Sequence, residues 1–255
     1  NVSLNLREIG PSASVATNIR LARSGADGTF AIPGLNPGRY QLLSYTYADG
    51  HSGTTMVEIM GREGSRSAVI MPGGAISGRL VFDGALKPPA PTSVNVSLYP
   101  PVLGSEKYNM APDGTFTLSG VPSGKYQLRL SGRPPAGWMM RSAMLNGVEV
   151  SDTPFEIRSN EAIESAVVTL TDRGAEVSGR FLDAAGKPAP EYTLVVFSAD
   201  RRFWMPRSRR RQVVRPDANG TFLARDLPSG DYLISAVTDL EDNQWNDPEF
   251  LAALA

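Results

Sequence analysis

Apolar residues along this chain alternate with polar ones in short runs and almost nowhere recur at helical spacing. In residues 124–131, Tyr126, Leu128 and Leu130 point one way and Gln127 and Arg129 the other, the period of two expected of a strand. The same reading between 73 and 172 predicts strands over 76–82, 93–99, 115–121, 124–131, 139–144, 147–150, 155–158 and 164–171. The one helix predicted is the C-terminal tail, where Asn246-Asp247-Pro248 offers a cap and a first-turn proline before Phe250-Leu251. Many short strands punctuated by turn residues predict an all-β sandwich.

One phrase occurs three times: DGTFAIPGLNPGRY from Asp27, DGTFTLSGVPSGKY from Asp113 and NGTFLARDLPSGDY from Asn219. Each phenylalanine (Phe30, Phe116, Phe222) precedes a tyrosine (Tyr40, Tyr126, Tyr232) by ten residues. A phrase repeated at long intervals marks one supersecondary unit used repeatedly. Asp-Gly or Asn-Gly supplies the positive φ of a tight turn, and the phenylalanine then enters the core. The glycine two residues before each tyrosine is read as reversing the chain. The tyrosine ring returns to the sandwich, and its hydroxyl needs a partner, such as a backbone group of the turn.

Two further markers set the register. GAISGRL from Gly74 matches GAEVSGRF from Gly174 as an opening strand, and Ser67-Ala68-Val69-Ile70 matches Ser165-Ala166-Val167-Val168 as a closing strand. Asn95-Val96-Ser97-Leu98 likewise repeats Asn1-Val2-Ser3-Leu4. The expected organisation is a repeat at 1–72 lacking its first strand, a complete repeat at 73–172, and a repeat at 173–255 lacking its last strand. The parent chain is expected to extend beyond both ends. The linkers at Met71-Pro72-Gly73 and Thr171-Asp172-Arg173 are short, which predicts little slack.

With 41% apolar and 20% charged residues the chain reads as a folded, water-exposed protein, and 25 glycines and 20 prolines suit many turns. No run reaches the ~18 apolar residues of a membrane helix. A net charge of −1 gives no general pull on nucleic acid, and none is expected as a partner. The absence of cysteine excludes disulfides and thiolate metal sites.

Candidate chemistry is sparse. The single histidine, His51, lies in a polar stretch and is read as solvated; one histidine makes neither a two-histidine metal site nor a supported serine triad. Gly120–Tyr126 resembles a phosphate loop only faintly, being one residue short, and is read as a turn. Asp217-x-Asn219-Gly220 opens like a calcium loop but lacks the later ligands. The lysines, Lys87, Lys107, Lys125 and Lys187, do not suggest a buried isopeptide crosslink. No catalytic residue, metal or cofactor is expected.

Two features stand above this background. Residues 201–215, RRFWMPRSRRRQVVR, place Arg207, Arg209, Arg210 and Arg211 beside Trp204, a composition suited to phosphate or anionic sugar. The plainer reading is an exposed hairpin whose arginines meet Glu241, Asp242, Asp247 and Glu249. Trp138 and Trp245 follow Tyr126 and Tyr232 by twelve and thirteen residues; the commoner reading is a ring that lids the end of its own core, but exposed together on one face they would stack sugars.

The Ser-Gly-Arg strand, the Asp-Gly-Thr-Phe turn and the Pro-Ser-Gly-x-Tyr return together resemble the carboxypeptidase regulatory-like domain. Gly78, Asp113, Gly114, Phe116, Pro122, Gly124 and Tyr126 carry the resemblance in the middle repeat, and Gly179, Gly220, Phe222, Pro228, Gly230 and Tyr232 in the third. It implies tandem Ig-like or prealbumin-like β-sandwiches that are not enzymes and belong to a larger bacterial envelope or secreted protein, extracellular or periplasmic. It further implies a structural spacer or protein-contact role, with another envelope protein or a polysaccharide as partner. Carbohydrate binding through the loop tryptophans, and an accessory extension of a peptidase or outer-membrane receptor, are the alternatives.

Overall fold

The computed structural model describes residues 2–9, 19–46, 50–60, 67–102, 107–205 and 208–255. Its described residues form two compact units, residues 1–80, 90–133 and 143–168, and residues 81–89, 134–142 and 169–255. Asn1, Arg207 and parts of several connecting segments lie outside the described residues.

The first unit begins with a five-stranded antiparallel sheet of β1 (Ser3–Glu8), β2 (Ile19–Arg23), β3 (Gly38–Tyr45), β4 (His51–Ile59) and β5 (Met71–Pro72), in the order β2-β1-β3-β4-β5. Alternation decides its inner face: Leu4, Leu6, Tyr40, Leu42 and Val57 form a buried cluster, with Phe30, Ile32 and Leu35 packed on it. His51, read as a solvated loop residue, is half-buried and opens β4, because its backbone pairs with Thr46 (Thr46 N to His51 O, 2.9 Å).

The following strands are β6 (Gly74–Asp83), β7 (Asn95–Tyr99), β8 (Lys107–Met110), β9 (Thr115–Val121), β10 (Gly124–Ser131), β11 (Met139–Leu145), β12 (Val148–Glu149), β13 (Phe155–Ile157) and β14 (Ala162–Thr171). One sheet runs β13-β10-β7 and a second runs β12-β11-β14-β6-β9-β8. Asn146 and Gly147, both at positive φ, turn β11 into β12, the geometry a two-residue hairpin prefers. Strand β8 was not predicted: four residues without clear alternation have no local signature, and pairing with β9 makes them a strand.

The second unit carries β15 (Ala175–Arg180), β16 (Thr193–Ser198), β17 (Arg211–Val214), β18 (Thr221–Leu227), β19 (Tyr232–Val237) and a short helix, α1 (Pro248–Leu254). Its sheets are β15-β18 and β17-β16-β19. All six residues of β16 are buried. Val196 joins Ala224 and Leu227 on one side, while Val195 and Phe197 on the other are covered by Trp204 and by Leu251 of α1. The helix starts where the sequence placed it, with Pro248 in its first turn and the Asp247 carboxylate accepting from Glu249 N at 2.9 Å.

The thrice-repeated phrase folds through the same bonds each time. Gly28, Gly114 and Gly220 have φ of 83°, 86° and 78°. Thr29 O, Thr115 O and Thr221 O accept from the amides of Gly25, Ala111 and Asp217 at 2.8, 2.8 and 2.9 Å. Asp27 and Asp113 each accept from the backbone N–H and hydroxyl of the threonine two residues on. Where the third copy has Asn219, Asp217 accepts instead from Asn219 N and Thr221 N.

The threonine N–H, and after it the threonine hydroxyl, hold the Asp27 and Asp113 carboxyls below their usual pKa of 3.8. A depressed folded-state value contributes stability above the unfolded value and loses it as pH falls through the folded one. The thermal midpoint is therefore expected to fall as pH drops below 3.8, with Asp113→Ala less acid-sensitive than the parent; parallel midpoint–pH curves would contradict this.

The tyrosines behave as expected: Tyr40 donates its hydroxyl proton to Asn36 O at 2.9 Å and Tyr232 to Pro228 O at 2.6 Å. Gly230 lies in the bend between β18 and β19, whereas the glycines of the first two copies do not reverse the chain. Gly38 and Gly124 open strands, and each lies under its own tyrosine ring, where a Cβ at Gly124 would come within 3.2 Å of it. Removing the hydroxyl in Tyr232→Phe orphans the Pro228 carbonyl, for an expected loss of about 0.5–1.5 kcal/mol by urea titration; no change would remove the bond from the turn's stability.

The phenylalanines diverge. Phe116 is 2% exposed, while Phe30 and Phe222 are half-buried. In the middle repeat β9 sits between β6 and β8. In the third, β18 pairs with β15 alone. In the first, residues 29–37 pair with no strand among the described residues, because none there corresponds to β6 or β15.

Candidate functional site

The arginine-rich segment lies in the second unit, where β16 leads into a single 3-10 turn at Arg201–Phe203. Asp200 caps that turn by accepting from Arg202 N, and its carboxylate takes the Arg202 guanidinium through Nε (2.9 Å) and a terminal nitrogen (2.6 Å). That bidentate pair, first through side-chain and then backbone hydrogen bonding, holds the Asp200 carboxyl below its usual range.

Arg201 lies over the Trp204 ring at 5.2 Å, and Arg210 over Phe203 at 4.4 Å. Arg210 also donates to Ser229 O at 2.8 Å, and Arg209 to Met140 O at 2.6 Å. Arg211 reaches Asn246 Oδ1 at 2.5 Å, but its other terminal nitrogen is buried without a partner, and burial pushes its pKa down from the ordinary value. The partners the structure shows are thus an aspartate outside the expected acidic set, ring faces, carbonyls and an amide; Asp247 instead caps α1.

The tryptophans are not brought together as a sugar platform. Trp138 is 6% exposed and meets Phe82 edge-on at 5.1 Å, so it closes its own core. Trp204 is 4% exposed, meets Phe197 at 5.6 Å and donates its indole N–H to Ser198 O at 2.7 Å. Trp245 is half-buried on the 3-10 turn at Gln244–Asn246, packed on the cluster of Phe197 and Leu251. Stacking a sugar on both Trp138 and Trp245 requires both rings exposed, and the burial of Trp138 removes one.

Gly120–Tyr126 is the β9–β10 connection followed by a strand, with no helix N-terminus to cradle phosphate. Asp217 and Asn219 are used by the turn itself. Among the described residues no group of three or more metal-ligating side chains comes together, and no helix is long and apolar enough to cross a membrane.

Sequence reasoning passed over a groove in the first unit lined by Arg7 and Lys125 among others. Lys125 was in view only in the Gly120–Tyr126 turn and among the lysines weighed for a crosslink, and Arg7 had no sequence signal, since the groove joins segments more than a hundred residues apart.

The architecture defines an all-β protein of several multi-stranded sheets. No family model matches the chain, and no curated protein matches it. Among solved structures it is similar to the Bacillus anthracis TIE protein, with 16% identity over 92% of this chain and a TM-score of 0.27. It spans 42% of that protein's length. GBS52, the minor pilin of Streptococcus agalactiae, shares 16% identity over 68% of this chain and 84% of its own, with a TM-score of 0.30. A form of BcpA, the major pilin subunit of Bacillus cereus, shares 11% over 93% and 83%, with a TM-score of 0.26. Likenesses this distant carry no argument about what the chain does.

Proposed function

We propose that the chain consists of three tandem modules of the carboxypeptidase regulatory-like type, at 1–72, 73–172 and 173–255. They act without catalysis as structural spacer and protein-contact modules of a larger bacterial envelope or secreted protein. The observation that carries this reading is the junction at residues 71–74. Gly73 N donates to Gly50 O at 3.2 Å, and Pro72 O accepts from Asn160 N at 3.1 Å and from the Ser159 hydroxyl at 2.8 Å. A Cβ on Gly73 would come 2.5 Å from the Gly120 backbone. A junction pinned from several sides suits a spacer, which transmits position only where it has no slack.

The recurring residues support the same reading, since each copy spends its glycine on the turn and its tyrosine against the sheet. The second unit would offer its contact through Arg209, Arg210, Arg211 and the half-exposed Trp245, next to Asn246, with another envelope protein as partner. Native-state hydrogen exchange on the whole chain tests the spacer role. The amides of Gly73 and Asn160 should be protected to the level of β3 and β10, and exchange there at loop rates would defeat it.

A further inference from the structure

Three of the buried polar atoms without a hydrogen-bond partner lie on one face of one sheet: Asn5 Oδ1, Arg7 Nε and Ser52 Oγ. Register puts them there. Asn5 stands opposite Leu43, Arg7 opposite Gln41, Leu43 opposite Thr54 and Tyr45 opposite Ser52, and residues paired across strands share a face. The other face carries the apolar cluster of Leu4, Leu6, Tyr40 and Leu42. Native proteins rarely leave such atoms unpaired, and of these three residues Arg7 alone lines the groove on this face.

A groove of about 220 Å³ opens on this face. Arg7, Gln41 and Thr54 form one wall, and Ser123 and Lys125 stand on the other beside the Tyr126 ring. Among the described residues no carboxylate lines it. Among the described residues neither Arg7 nor Lys125 is in an ion pair; Glu156 stands opposite Lys125 on β13 but does not line the groove. Two cationic side chains therefore line a groove in which no described residue provides a counter-charge.

We propose that this groove binds a hydroxylated carboxylate the size of one sugar ring, a uronic-acid residue. The carboxylate lies between the Arg7 guanidinium and the Lys125 ammonium. The ring hydroxyls meet the Gln41 amide and the Thr54 and Ser123 hydroxyls, groups that both donate and accept and that a bare anion would leave unused. Leu43 and the neighbouring prolines, Pro100 and Pro122, give an apolar wall for the ring's C–H face. The volume is below the roughly 300–1,000 Å³ of drug-sized pockets, which suits a single ring. This site goes beyond the spacer reading and stands without it, because it rests on this one sheet face and not on the role of the repeats.

Isothermal titration of the whole chain with galacturonate, methyl galactoside, acetate and a galacturonate trimer tests the proposal. Galacturonate should bind, more weakly as salt rises, and the neutral glycoside should not. Lys125→Gln, at an exposed position, and Arg7→Gln should each weaken galacturonate by about tenfold or more. A trimer that binds more tightly than the monomer identifies a polysaccharide source, and equal binding a free uronate; both keep the site. Absence of galacturonate binding at millimolar concentration, acetate binding as well as galacturonate, or full affinity in Lys125→Gln with an unchanged melting curve would each overturn it. The spacer reading fails on hydrogen exchange at Gly73, a measurement independent of these.

Discussion

Phe116→Ala is expected to abolish the cooperative unfolding of the middle repeat at room temperature or bring it close to the limit. The ring is 2% exposed, and Phe116 pairs with Gly78 on β6 and Met110 on β8, so its strand is flanked on both sides. Removing a buried phenylalanine costs about 3–5 kcal/mol, from lost transfer energy and the cavity left behind. A domain has only about 5–15 kcal/mol in total. The same change at Phe30 or Phe222 should cost clearly less, because those rings are already half in water. Chemical denaturation followed by circular dichroism should therefore rank Phe116 well ahead of the other two. Equal losses at all three would show that the repeats share one core environment, contrary to the burial seen.

Gly78→Val is the second large effect. A Cβ at Gly78 would lie 2.0 Å from Ala166 O and 2.5 Å from the Ala166 Cβ, so β14 must move away from β6. Those strands are neighbours at the middle of the sheet, and shifting one breaks a ladder on which both flanks depend. Overpacking a tight core costs typically about 1–3 kcal/mol and more where backbone must move, as it must here. Arg79→Val, one residue on and exposed, should remain near the parent.

The same motif one repeat later should be tolerant. At Gly179 a Cβ meets only the Phe222 ring, at 3.1 Å, a side chain that can give way. Thermal midpoints of Gly78→Val, Gly179→Val and Arg79→Val settle the comparison. If Gly179→Val proved as damaging as Gly78→Val, strand crowding would not be the cause.

Most strands of the complete repeat were legible because their signals are local. Tyr126 to Leu130 alternate, and Asp113-Gly114 fixes its own φ and its own carboxylate acceptor, whereas the Asn146-Gly147 turn was not read and Gly147 was expected in a strand. The helix α1 was legible for the same reason, since Asp247 and Pro248 act within one turn. Strand β8 was not, because its partner β9 alone makes it a strand. That Trp138 and Trp204 are buried was not legible, because nothing beside them in sequence reports that Phe82 or Phe197 closes over their rings.

By itself, then, the sequence determined the all-β class, the three turn-and-tyrosine units and the capped final helix, all governed by backbone preferences acting over a few residues. Only the tertiary structure decided which sheet each strand joins. The short strand before each Gly-Thr-Phe turn shows this: β2 pairs with β1 and β17 with β16, whereas β8 crosses to β9. Tertiary structure alone also buried Trp138, pinned Gly73 against Gly120, and brought Arg7 and Lys125 to one groove. Those outcomes depend on surfaces meeting across long stretches of chain, and burial, close approach and unpaired charge exist only once they have met.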